Sequence, residues 1–133
     1  NAGQGYLLCS IGEESGEIPY TAYFASQTYL QENSDVVAGF CRALHKAMTW
    51  IENHTDEEVA QVMLPQFPDT DLGVLAEVTA RHRAIDAWNS DLVMEKASLE
   101  RLEAVMTEAG ELQKDQWVDF AALVDNHWAE AVQ

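Results

Sequence analysis

Positive charge is the scarcest resource in this chain: 7 Lys and Arg stand against 23 Asp and Glu among 133 residues, a formal net charge of -16. A surface of that sign repels phosphate backbones and anionic lipid headgroups, which disfavours nucleic acid and membrane surfaces as partners. The carboxylates are read as a solvating face in preference to a lure for a basic partner. No apolar run approaches the roughly 18 to 20 residues that cross a bilayer, and no basic segment followed by an apolar one opens the chain. Cysteine is equally sparse. Cys9 and Cys41 are too few for a disulfide framework and lack Cys-x-x-Cys spacing, and each lies in an apolar run that predicts a small buried side chain. The four histidines, His45, His54, His82 and His127, include no pair at helical spacing, so no metal site is expected, and no cofactor.

What is present is helical periodicity. Ser34 to His54 carries Val36, Val37, Phe40, Cys41, Leu44, Ala47, Met48 and Ile51 at three- and four-residue steps, with Ser34 placed as N-cap and Asp35 suited to a helix N-terminus. Gln27 to Glu32 leads into it as a short turn or helix. Thr55-Asp56-Glu57-Glu58 has capping-box spacing and predicts a helix from Asp56 until Pro65 ends it near Leu64. Phe67-Pro68 is then extended. Asp69 or Thr70 caps a helix carrying Leu72, Leu75, Val78 and His82 and ending around Ala84. After a connector at Asp86 to Asn89, Ser90 is expected to cap a last long helix, Asp91 to Ala109. Gly110 then stands at its C′ position and Leu112 folds back on the last turn. A short helix near Asp125 with a buried Trp128 closes the chain, and Trp50, Trp88 and Trp117 are likewise read as core anchors.

The first 25 residues differ. Gly5 to Ile11 is a short apolar run and Ile18 to Ala25 alternates, so both predict strands, about 5–11 and 18–25, joined by a polar loop at Gly12 to Glu17. The expected class is therefore mostly α with a short two-stranded β element. Two strands alone are marginal in water. The chain is thus expected to be a fragment of a larger α/β protein, or to complete its sheet as a homodimer through exposed strands. Asn1-Ala2 reads as a processed or vector-derived end, leaving residues 3–133 as the natural segment. Ser15 fails as a nucleophile elbow because Glu13 stands where that turn needs glycine.

The run SIGEESGEIPYTAYFAS at Ser10 to Ser26 precedes ENSDVV, FCRALHKA and HTDEEVA, and FPDTD, IDAW, EAGEL and LVD follow in order. Together these resemble the C-terminal part of a solute-binding protein of an ABC importer, in the group that takes up nitrate, sulfonates, taurine or thiamine-pyrimidine precursors. The resemblance covers nearly the whole chain. It implies a fragment of a two-lobed α/β periplasmic-binding-protein-like fold that holds a small-molecule ligand in a cleft and presents it to an ABC permease of the cytoplasmic membrane. It also implies a periplasmic or cell-surface lipoprotein location, and no catalysis. On this resemblance Glu14, Ser15, Tyr20 and Tyr23 are the residues nearest the ligand, offering an acceptor, a donor and aromatic faces. Glu13, Glu14 and Glu17 oppose an anion and suit an uncharged or cationic heterocycle such as a pyrimidine. Half the pocket would lie outside the fragment, so the fragment alone is expected to bind ligand poorly. Two alternatives belong to other classes: an enzyme of thiamine-pyrimidine synthesis, whose cysteine-rich motif Cys9 and Cys41 do not reproduce, and a helical protein-interaction domain.

Overall fold

The computed structural model describes residues 5, 6 and 8–133. Two compact units divide the chain, one from residues 1–22 and 94–124, the other from 23–93 and 125–133. Among the described residues there is no strand, and every regular element is helical. The two-stranded β element, and with it the two-lobed α/β fragment, is therefore overturned. Gly5 to Ile11 and Ile18 to Ala25 carry strand-like composition, but a strand exists only through ladder bonds to a neighbour, and among the described residues neither run supplies them to the other. The polar link between them is not a plain loop either. Ile11 to Glu14 closes a helical turn, with the amides of Glu13 and Glu14 both donating to the Ser10 carbonyl at 3.2 Å. Leu7 of the first run and the proposed vector-derived pair Asn1-Ala2 lie outside the described residues. Cys9, expected inside, is exposed, and Cys41 is half-buried.

The larger unit holds α2 (Gln27–Glu32), α3 (Ser34–Glu52), α4 (Asp56–Met63), a 3-10 turn at Leu64–Gln66, α5 (Leu72–Ala84) and α8 (His127–Glu130). Its core is the seam between α4 and α5, where Val59, Ala60, Leu75 and Thr79 are buried. The start of α4 follows its capping box: the Glu58 amide donates to Thr55 Oγ1 at 3.3 Å, and the Thr55 amide donates to Glu58 Oε2 at 2.8 Å. Asp71, one or two residues later than expected, caps α5 by accepting the Gly73 amide at 2.8 Å. At α3 the N-cap position falls on Asn33 instead of Ser34. The Asn33 side chain makes no cap bond to that helix, and its Nδ2 donates back to the Tyr29 carbonyl of α2 at 3.1 Å. Although α3 has the strongest amphipathic pattern in the chain and packs against α2 and α8, none of its residues is fully buried.

The smaller unit holds α1 (Ile11–Glu14), α6 (Lys96–Glu108), a 3-10 turn at Lys114–Gln116 and α7 (Phe120–Leu123). The start of α6 is a second correction, since it lies at Lys96 and not Asp91. Side chains suited to opening a helix are spent on turns instead. Asp86 accepts both the Ser90 amide (3.0 Å) and the Ser90 hydroxyl (3.2 Å), while Asp91 accepts the Val93 amide (2.9 Å). The helix ends as its residues demand: Gly110 adopts φ 79°, its amide donates to Thr107, and the Glu111 amide donates to Met106, the two bonds of a Schellman motif. Trp50, Trp88, Trp117 and Trp128 are all half-buried, so none is the fully enclosed anchor expected.

The connector Ile85 to Glu95 stores strain. Asp86, Asn89 and Leu92 all have positive φ, and Leu92, at 61°, lacks the short polar side chain that eases that conformation. Leu92→Gly should therefore be more stable than Leu92→Ala by about 1 kcal/mol. Thermal midpoints of the two variants test this, and an alanine variant as stable as the glycine one would remove the strain.

Candidate functional site

The segment after α1 is held at one end. Gly16 takes φ 69°, a turn that a side chain would strain, and a Cβ there would meet the Arg101 guanidinium carbon of α6 at 3.4 Å. Arg101 in turn donates to the Glu17 carbonyl. Ser15 Oγ donates to the Gly16 carbonyl at 3.0 Å, and its amide caps α1 on Ile11. Beyond this anchor the residues to Ala25 have no regular structure, and their large side chains stand in solvent: Tyr20 is 98% and Phe24 98% exposed. Tyr23 is 77% exposed and meets Phe40 of α3 edge-on, with ring centroids 4.8 Å apart. Leaving such aromatic area in water forgoes roughly 25 cal/mol for each Å² that a partner surface would cover.

Of the four residues assigned to the ligand, Glu14, Ser15 and Tyr20 fall in the smaller unit and Tyr23 opens the larger one. Glu14 and Ser15 sit together at the end of α1, with Glu14 exposed. None of the four lines the groove described next.

That groove, about 220 Å³, lies within the smaller unit beside α6. Leu99, Trp117 and Phe120 supply its apolar lining, and Glu100, Glu103 and Asp119 supply carboxylates. Lys96, also on the lining, pairs with Glu100 at 3.5 Å. Trp117 is fixed rather than free: its indole N–H donates to Thr107 Oγ1 at 2.9 Å, and that hydroxyl donates to the Glu103 carbonyl at 2.7 Å. Lys114 stands over the indole, 5.8 Å from the ring centroid. Glu103 is 7% exposed, and its Oε1 accepts the Val118 amide at 2.9 Å. This carboxylate thus ties the turn after α6 back onto the helix. Sequence inspection missed Glu103 and Arg101. For Glu103 a signal existed: it lies four residues after Leu99, on the buried side of α6, where a carboxylate must have a reason.

Among the described residues no group of three His, Cys, Asp or Glu side chains is disposed to hold a metal ion, and no helix is long and apolar enough to cross a membrane. No protein-family model matches the chain, and no solved structure matches it. A curated protein does: "Putative binding protein YtlA" of Bacillus subtilis (strain 168) is 35% identical over 130 residues. The match covers 98% of this chain and 38% of that relative. The chain is therefore homologous, along nearly its whole length, to a little over a third of a longer protein named for binding.

Proposed function

We propose that this chain is a segment of an extracytoplasmic solute-binding protein that hands a small molecule to an ABC permease. The observation that carries the proposal is the 35% identity, over 98% of the chain, to a relative named as a binding protein. Exposed aromatic side chains in each unit support it. In the smaller unit a glycine turn clamped by Arg101 leads to Tyr20, which stands in solvent, and in the larger unit Tyr23, edge-on to Phe40, and Phe24 are exposed. Aromatic rings with a hydroxyl suit a small planar solute. Charge selects among the ligands. Glu13 and Glu14 close α1, Glu17 follows the Gly16 turn, and the nearby cation Arg101 is engaged with the Glu17 carbonyl. An uncharged or cationic pyrimidine-like heterocycle is therefore preferred over nitrate or a sulfonate. In this function the protein binds and releases its solute and transforms nothing.

Calorimetry on the whole protein tests it, with 4-amino-5-hydroxymethyl-2-methylpyrimidine, taurine and nitrate as probes. The pyrimidine should bind most tightly. The double variant Tyr20→Ala/Tyr23→Ala should weaken it about tenfold, or ~1.4 kcal/mol, without lowering the thermal midpoint, because these side chains contribute little burial. Binding by none of the three, or an affinity indifferent to both tyrosines, would overturn the proposal.

A further inference from the structure

The groove beside α6 has a chemistry of its own, independent of the import function. Its lining brings three carboxylates, Glu100, Glu103 and Asp119, against one ammonium, Lys96, which is already paired with Glu100. Glu103 is the decisive group, because a carboxylate more than nine-tenths buried is costly unless its oxygens are well satisfied. A carboxylate offers about four acceptor positions, and the Val118 amide occupies one of them at 2.9 Å. The other oxygen is not a buried unpaired atom but opens onto the groove, where the surrounding negative charge favours a cationic donor over a neutral one. The rest of the lining decides what kind. Leu99, Trp117 and Phe120 suit an apolar body and coordinate nothing, whereas Ca²⁺ would want six to eight oxygens around it. Trp117 is already immobilised by Thr107, so packing a ligand against it orders little that was free. At about 220 Å³ the groove is smaller than the usual range for drug-sized ligands, which leaves room for one ring or a short chain.

We propose that this groove is a binding site for a small organic ammonium ion with an apolar body. Its nitrogen donates to Glu103, and its ring or chain lies against Trp117, Phe120 and Leu99. Attraction to Glu100 and Asp119 strengthens binding at low ionic strength.

The test uses 15N–1H correlation spectra of the whole protein titrated with benzylamine, with benzyl alcohol and benzoate as the neutral and anionic counterparts. Benzylamine should move the Trp117 indole N–H and the Val118 amide saturably, and bind at least about tenfold more tightly than benzyl alcohol. Benzoate should leave both signals in place. Glu103→Gln keeps an oxygen for the Val118 amide while removing the charge, and should weaken benzylamine about tenfold. Should that variant lose its dispersed spectrum, Glu100→Gln/Asp119→Asn decides, with a severalfold loss expected from the two exposed positions. Equal binding of the amine and the alcohol, non-saturating shifts, or a variant indistinguishable from the parent would overturn the site.

Discussion

Arg83→Ala should lower the unfolding free energy by about 3 kcal/mol, more than any other change to a charged side chain in the larger unit. Arg83 lies in the last turn of α5, and its guanidinium reaches three groups at once. Nε donates to Asp56 Oδ1 at 2.9 Å, one terminal nitrogen to the Ile51 carbonyl at 2.9 Å, and the other to the His54 carbonyl at 3.0 Å. The two carbonyls belong to the end of α3 and the turn after it, where intrahelical partners run out. Asp56 opens α4. One planar fork therefore closes the α3–α4 junction from a third helix. The ion pair itself contributes little, because the side chains are 34% and 32% exposed and water screens them. About 1 kcal/mol is an upper bound for that part. The bonds to carbonyls carry the rest: the Ile51 carbonyl keeps the His54 amide at 3.3 Å, whereas the His54 carbonyl loses its Arg83 donor. Arg83→Lys should recover less than half of the loss, since an ammonium can hold Asp56 but cannot span all three acceptors. Asp56→Asn should cost under about 1 kcal/mol. The urea midpoint, at unchanged slope, reads each effect. If Arg83→Ala and Asp56→Asn shift it equally, the carbonyl contacts contribute nothing and the clasp is only a surface ion pair.

Arg83 also shows where legibility ended. Its acceptors at Ile51 and His54 lie 32 and 29 residues away, so no local spacing announces them. Signals that act within one helical turn were readable. The Thr55–Glu58 capping box formed both of its bonds, and Gly110 turned left-handed where the periodicity of α6 stopped. Ser90 misled because a serine that can cap a helix can equally be bound by Asp86 in a turn, and the choice depends on where the chain before it goes. The β readings failed for a related reason. Alternation at Ile18 to Ala25 states which side chains would share a face, but not that a neighbouring strand is present to accept the amides. The ligand residues were the least legible, because exposed tyrosines leave the same pattern in a sequence whether they face a solute or only water.

Leu75→Ala should cost about 2–4 kcal/mol, and the comparison that gives this its meaning is with α3. Leu75 is buried in the α4–α5 seam beside Val59, Ala60 and Thr79, so trimming it removes apolar contact and leaves a void that two short helices cannot easily close. Thr79→Val keeps the volume and loses one bond, Oγ1 to the Leu75 carbonyl at 2.9 Å. That carbonyl still has its helical amide, so the cost should stay under about 1.5 kcal/mol. On α3, by contrast, Phe40 is 42% exposed and its ring meets Tyr23, so Phe40→Ser should cost only about 1 kcal/mol despite the larger side chain removed. Amphipathic pattern alone would rank these positions the other way, because α3 carries the strongest stripe in the chain and α5 a weak one. The ordering of the two losses therefore separates pattern from burial. A larger midpoint shift for Phe40→Ser than for Leu75→Ala would mean that the apolar face of α3 is covered in solution, and that the weight of the fold rests on that face instead of the α4–α5 seam.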